Sequence, residues 1–246
     1  MQHHTVTDIR NEFVRLYSEK KFTGYCREAS MTSLMGGDTV EIINATFVVD
    51  ENTIFGELNH EYIERELAWY KSMSLNVNDI PGGAPAVWKA VADKDGFINS
   101  NYGHILYSHE NGRQFEHAVE ELKKNPESRR AIIIYTRPTM WSEYNLNGRS
   151  DFICTNSVQY LMRDGKLNAI VNMRSSDSHF GFKNDCAWQQ TVLKELAQEV
   201  GYPVGDLYWN AGSLHIYSRH FYLIDHYAKT GEISITKKKY NELYGT

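Results

Sequence analysis

The sequence predicts one globular domain that combines α-helices with β-strands. Three observations carry that expectation. Windows such as 60–70 and 186–200 repeat apolar residues at helical spacing. Thr39–Val49 is a β-branched run of the kind that forms a strand. An Asp-Gly pair at 164–165 lies between two further strand-like runs and reads as a hairpin turn. No internal repeat, low-complexity tract or Pro-rich linker interrupts the chain, so residues 1–246 are expected to form a single domain. Aromatics make up 13% of the residues, enough to fill a core and to argue against disorder.

Taken in order, Thr7 is expected to cap a first helix with Ile9, Phe13, Leu16 and Tyr17 on one side. Residues 23–38 are rich in Gly, Ser and Thr and read as loop before the strand at 39–49. Asn59 can cap the next helix. At about 100° per residue, Tyr62, Ile63, Leu67, Trp69 and Tyr70 share a face, and Glu66 falls within it. A carboxylate there must be paired, hydrated or protonated. It is either a Glu bonded to nearby backbone or a general acid/base with a raised pKa.

Residues 79–86 form a turn-rich loop, and Gln114–Lys124 reads as a helix ended by Asn125-Pro126. Ser128, Arg129 and Arg130 lead into an apolar strand at Ala131–Tyr135. The two arginines are either surface charge or an anion site, at a strand entrance or across an interface. Phe152–Met162 and Lys166–Arg174 form the predicted hairpin, with Cys154 near the start of its first strand. A lone cysteine can be a small apolar core residue or a nucleophile. Cys186, expected in the first turn of a helix where the dipole lowers a thiol pKa, competes with it.

The stretch from Asn172 to Trp188 concentrates the most chemistry. Arg174 and Ser175 leaving a strand suit an anion such as phosphate. Asp185, just before a helix, suits an N-cap or a ligand contact. The helix from Cys186 to Val200 stops at Gly201. Asp206–Tyr217 reads as a strand bent at Gly212, with His215 and Tyr217 on one face. That pair is either a core couple or two polar tips for one hydroxyl. Ser218–Lys229 reads as a last helix, and Lys237–Lys239 as a solvated tail.

Composition narrows the class further. A net charge of −5 argues against a general nucleic-acid binder. No apolar run is long enough to cross a bilayer, and the N-terminus lacks signal-peptide features. Three cysteines without a CxxC fit a reducing, cytoplasmic setting. The 10 histidines are scattered without HExxH or a Cys/His cluster, so no metal is assigned.

Several motifs recur in an order that resembles the thymidylate synthase family. They are S-R-R before an apolar strand, a cysteine opening the next strand, R-S-x-D then Gly before a helix, and H-x-Y near the end. The resemblance covers residues 38–230. It is closest to the phage deoxycytidylate hydroxymethylase branch, which segments such as I-F-G-E-L-N-H-E-Y-I-E-R-E-L-A-W-Y-K-S and S-L-H-I-Y-S-R-H-F-Y resemble throughout. The departures from the synthases point the same way. Ile153-Cys154-Thr155 replaces Pro-Cys-His, Met173 replaces Gln, Asp185 replaces Asn, and the tail is not apolar. The N-terminal phosphate arginine has no match.

The resemblance implies an α+β fold: a mixed, twisted sheet with helices packed on one side and a sheet face used for dimerisation. It implies transfer of a one-carbon unit from 5,10-methylenetetrahydrofolate to C5 of dCMP, with water completing a hydroxymethyl group. Cys154 would add to C6, and Glu66 would organise water and protons. Arg174 and Ser175 would hold the phosphate, with Arg129 and Arg130 supplied by the other subunit of a homodimer. His215 and Tyr217 would bind the sugar hydroxyl. Asp177 would contact the pterin, and Trp88 and Tyr102 would wall the site. For a phage protein the setting is the host cytoplasm. Asp185 has a physical role in this scheme, because a carboxylate accepts from cytosine N4 and can share a proton with N3. A mispaired edge costs about 1–3 kcal/mol, enough to select the base.

Overall fold

The computed structural model describes residues 3–25 and 37–245. The first elements are α1 (Val6–Ser18), β1 (Thr23–Tyr25), β2 (Gly37–Val48), α2 (His60–Ser72), α3 (Ala86–Val91) and α4 (Tyr102–Tyr107). Then come α5 (Gln114–Lys124), β3 (Ile132–Ile134), α6 (Met140–Glu143), β4 (Thr155–Arg163) and β5 (Lys166–Asp177). The chain ends with α7 (Gly181–Val200), β6 (Val204–Tyr217), α8 (Phe221–Thr230) and α9 (Lys237–Tyr244). The strands form one sheet in the order β1-β2-β6-β5-β4-β3. Pairs β1/β2, β2/β6, β3/β4 and β4/β5 are antiparallel. Leu167 N donates to Pro203 O at one end of β5, and Ser178 N to His215 O beyond the other. These bonds run β5 and β6 in the same direction, which makes the sheet mixed.

The chain divides into two compact units. The first comprises Met1–Leu58, Arg174–Ala187 and Tyr208–Thr246. Its first helix is capped by Thr5, not Thr7: Thr5 and Asp8 make a reciprocal capping box, while Thr7 lies inside the helix. The loop reading of 23–38 is corrected at both ends, where β1 pairs with the start of β2; Cys26 lies outside the described residues. Across β2 and β6, the buried pairs are Val40/Ile216, Ala45/Ala211 and Phe47/Trp209. The inward parity switches between the first and second of these pairs. Asn44 there adopts φ 55°, a left-handed conformation that Asn tolerates, and the pairing passes over it from Ile43/Ser213 to Ala45/Ala211. The buried parity of β6 changes over the same stretch, between Ala211 and Leu214, where the sequence places Gly212. Lys237–Lys239 is not a tail but the first turn of α9, capped by Thr236.

The second unit comprises Asn59–Met173 and Trp188–Leu207. The hairpin turns at Asp164 and Gly165, both at positive φ, so that Arg163 pairs with Lys166. Val158, Tyr160, Met162, Leu167, Ala169 and Val171 point to a buried face. Ser157, Gln159, Leu161, Asn168, Ile170 and Asn172 alternate with them and stay half-exposed. On the neighbouring β3, Ile132 and Ile134 are exposed. The helices α2 and α4 meet so closely that Gly103 lies against the backbone of Tyr70. Tyr70 stacks on Tyr102 with ring centroids 5.4 Å apart.

Candidate active site

In the second unit, α2 begins as expected, with Asn59 accepting from Tyr62 N. The helical repeat then buries Ile63, Glu66, Trp69 and Tyr70, and Glu66 is only 5% exposed. The Tyr62 hydroxyl donates to Glu66 Oε1 at 2.6 Å, and Trp88 Nε1 donates to the same oxygen at 2.9 Å. Burial pushes the Glu66 carboxyl above its ordinary range, and the two hydrogen bonds pull it back. Both donors come from side chains rather than backbone. Tyr62 was legible only as a ring on the apolar stripe, yet its i,i+4 spacing to Glu66 carried the contact. Trp88 sits on α3, half-buried, with its indole N–H committed to this carboxylate.

Cys154 precedes β4 rather than lying within it, and is half-buried. Its Sγ is 3.8 Å from Phe152 O. Two neighbours hold the segment. Asp151 is buried and accepts from Asn99 N at 2.6 Å, Ser100 N at 2.8 Å and Ser100 Oγ at 2.6 Å. Thr155 donates its hydroxyl to Tyr102 Oη at 3.1 Å. Tyr102 is itself buried, its ring edge-on to Tyr135. Arg129 and Arg130 are both exposed at the entrance to β3. Arg130 Nη2 pairs with Glu121 at 2.9 Å.

In the first unit, β5 delivers Arg174, Ser175 and Asp177, all half-buried. Asp177 Oδ1 accepts from His179 N at 2.9 Å, an Asx-turn that bends the chain towards α7. That helix starts at Gly181, five residues before the expected start. Asp185 is therefore inside the helix and cannot be its N-cap; its side chain remains half-exposed. Cys186 is likewise beyond the first turn and fully buried, which removes the dipole argument for its thiol. Between the two candidate thiols, Cys154 is the one with solvent access. Glycine at 181 keeps the approach to this turn narrow: a Cβ there would lie 3.4 Å from Asp177 Cβ and 3.7 Å from Asp185 Oδ2.

His215 and Tyr217 share one face of β6, with ring centroids 5.0 Å apart and nearly perpendicular planes. Ser213 Oγ lies 3.2 Å from His215 Nδ1 and also bonds Glu41. Burial lowers the His215 pKa; Asp177 and Glu41 oppose that, and Arg174 adds to it. The neutral imidazole suits a hydrogen bond to a hydroxyl group.

A family model described as thymidylate synthase matches residues 55–241. The chain belongs to the thymidylate synthase family. Within it, the chain is 52% identical over 243 residues to the deoxycytidylate 5-hydroxymethyltransferase of Enterobacteria phage T4, with 96% of each chain covered. The enzyme of that name from phage T2 is also 52% identical, over 244 residues. A thymidylate synthase from Bacillus subtilis subsp. natto is 29% identical over 163 residues, 63% of this chain and 57% of that one. Among solved structures, the thermostable thymidylate synthase A from Bacillus subtilis superposes with a TM-score of 0.70. That alignment covers 92% of this chain and 84% of that chain at 22% identity, a likeness of fold. The expected α+β thymidylate synthase fold is thus the fold of this chain. No helix among the described residues is long and apolar enough to cross a membrane.

Proposed function

We propose that the chain is a deoxycytidylate 5-hydroxymethyltransferase, converting dCMP, 5,10-methylenetetrahydrofolate and water to 5-hydroxymethyl-dCMP and tetrahydrofolate. The observation that carries this reading is the 52% identity, over almost the whole of both chains, to phage relatives bearing that name. The half-exposed carboxylate of Asp185, where the synthases carry Asn, is its physical counterpart.

The Cys154 thiolate adds to C6 of the base and makes C5 nucleophilic. C5 later loses its proton, and the thiolate leaves C6 as water adds to the transferred carbon, which restores the aromatic ring and the free enzyme. Asp185 accepts from the cytosine N4 amine and shares a proton with N3, which also spreads the charge that builds on the ring. Glu66 receives and returns protons and orders the water that completes the hydroxymethyl group. Arg174 and Ser175 hold the phosphate, and His215 and Tyr217 hold the sugar hydroxyl. The folate co-substrate supplies the electrophilic one-carbon unit. Asp177 offers a carboxylate acceptor to the N–H groups of a pterin, and the half-buried Trp88 ring suits its flat face. Tyr102, buried and stacked on Tyr70, has no ring face free for the pterin and supports the Cys154 segment through Thr155 instead. The setting is the cytoplasm of the host.

A homodimer completes this reading. Ile132, Ile134, Leu161 and Ile170 leave apolar surface on the open sheet face. Arg129 and Arg130 are exposed, and in this reading they serve the partner's phosphate. The Arg130–Glu121 pair is exposed on the Arg side and screened by solvent, so exchanging it for a phosphate is easy. Inactive Arg130→Ala and Cys154→Ala chains should regain activity when mixed; well-exchanged dimers that stay inactive count against shared sites.

The reaction itself is tested by incubating the protein with methylenetetrahydrofolate and either dCMP or dUMP, then identifying the folate product. Tetrahydrofolate formed with dCMP supports the proposal. Dihydrofolate formed with dUMP assigns the chain to synthase chemistry instead.

A further inference from the structure

Beyond the residues that carry the catalytic reading, the first unit holds a second cluster of cationic and imidazole side chains. His179 and His220 pack ring against ring with centroids 4.2 Å apart. Arg219 Nε donates to His220 Nε2 at 3.1 Å. Lys183 is 7% exposed, and its Nζ donates to Glu57 O at 2.8 Å. Gly56 makes room for this packing. It adopts φ +81°, and a Cβ there would lie 2.7 Å from His179 Cε1 and 3.7 Å from Lys183 Nζ.

Two donors in the cluster lack partners among the described residues. His220 is 9% exposed, and because its Nε2 accepts from Arg219, its proton sits on Nδ1. That Nδ1 and Arg219 Nη1 are both buried without a hydrogen-bond partner among the described residues. A buried unpaired donor costs about 1–3 kcal/mol, more when charged, so two on touching side chains call for an acceptor. The local charge says which kind. The charged or titratable groups acting on His220 are His179, Arg219, Lys183 and Lys237, and each opposes its protonation. Asp177 and Glu57 offset the Lys183 end of the cluster but not the His220 end. Burial and these neighbours hold the His220 pKa down to about 3, so the ring is neutral with its Nδ1 proton ready to donate. Phe180 packs edge-on to His220 at 5.3 Å and is 51% exposed, which puts the cluster next to solvent.

We propose that Arg219 and His220, backed by His179 and Lys183, form a binding site for an oxyanion: a carboxylate or phosphate group, free or at the end of a larger ligand. The guanidinium supplies the charge and His220 Nδ1 a second, neutral donor. The exposed Phe180 ring offers an apolar shelf for whatever carries the anion.

The test is a titration of the full-length protein with inorganic phosphate, and separately with glutarate, following the assigned histidine ring nitrogens by NMR. His215 reports independently on the neighbourhood of Arg174. The expected result is a saturable shift of the His220 and His179 signals with at least one probe, and the tighter probe identifies the anion. Arg219→Gln should weaken that binding about tenfold, the loss of one charge-assisted hydrogen bond. Lys183→Gln, which leaves the Arg219–His220 contact in place, should weaken it less. No shift at His220 with either probe overturns the proposal. So does a shift that persists unchanged in Arg219→Gln. If Arg219→Gln does not fold, Arg219→Lys replaces it, and binding equal to that of the parent chain has the same meaning.

Discussion

Replacing Gly103 by Ala should destabilise the protein despite improving helix propensity. Gly103 lies within α4, so on propensity alone the change stabilises by about 1 kcal/mol. Space decides otherwise. The added Cβ would overlap the carbonyl oxygen and carbon of Tyr70 and come within 3.2 Å of its Cα. These are backbone atoms of α2 and cannot rotate away, so the two helices must part. Overpacking costs about 1–3 kcal/mol when side chains can yield, and a backbone clash belongs at or above the top of that range. The net loss is about 2 kcal/mol or more, a fall in Tm of about 4–8 °C for a chain of this size. Gly201 provides the control. It has φ +76° but nothing within 4 Å of its would-be Cβ, so Gly201→Ala incurs only the left-handed strain of about 1 kcal/mol. Urea midpoints of the parent and the two variants measure both effects. A Gly103→Ala midpoint at or above that of Gly201→Ala would refute the account of the α2–α4 seam. Because α2 also carries Glu66 and Tyr70 stacks on Tyr102, the same variant should lose activity while still folded.

Three further outcomes are expected. Cys154→Ala abolishes turnover and Cys186→Ala keeps most of it, because only the first thiol has solvent access; the reverse pattern in a steady-state assay removes Cys154 as nucleophile. Asp185→Asn shifts kcat/KM from dCMP towards dUMP by about 1–3 kcal/mol for each base, or about 5- to 150-fold; an unchanged ratio speaks against base reading by this residue. Burial raises the folded-state pKa of Glu66, so folding favours the protonated carboxyl. Its contribution to stability is greatest below the unfolded-state pKa and falls as pH rises to the folded-state one. Tyr62→Phe removes a donor that lowers this pKa, so the window extends upward, and the acid limb of a rate that needs ionised Glu66 moves to higher pH. An unmoved acid limb in kcat/KM against pH contradicts that linkage.

Much of this architecture was legible where one local signal dominated. Asp164-Gly165 needs two left-handed residues and can hardly be anything but a tight turn, and the structure has it there. Asn59 caps α2 because it precedes an uninterrupted amphipathic repeat. Where two signals competed, the position slipped. Thr5 and Thr7 are equally good caps in isolation, and Asp8 three residues after Thr5 decides between them. Asp185-Cys186 looked like a helix start because Phe182 and Lys183 carried no start signal. The true start at Gly181 follows from the Asx-turn at Asp177, a contact the pattern does not display. Neither donor to Glu66 was legible as a donor: Tyr62 reads only as a ring on the apolar stripe, and 22 residues separate Trp88 from the carboxylate. Unpaired donors on Arg219 and His220 are invisible in sequence, because an orphan is defined by what packs around it.

The most direct test of the central claim is the mass of the nucleotide product formed from dCMP in water enriched in oxygen-18. The account predicts 5-hydroxymethyl-dCMP whose new hydroxyl carries the heavy isotope, since water completes the transferred carbon. A product bearing a methyl group, or no product from dCMP while dUMP is consumed, would contradict it.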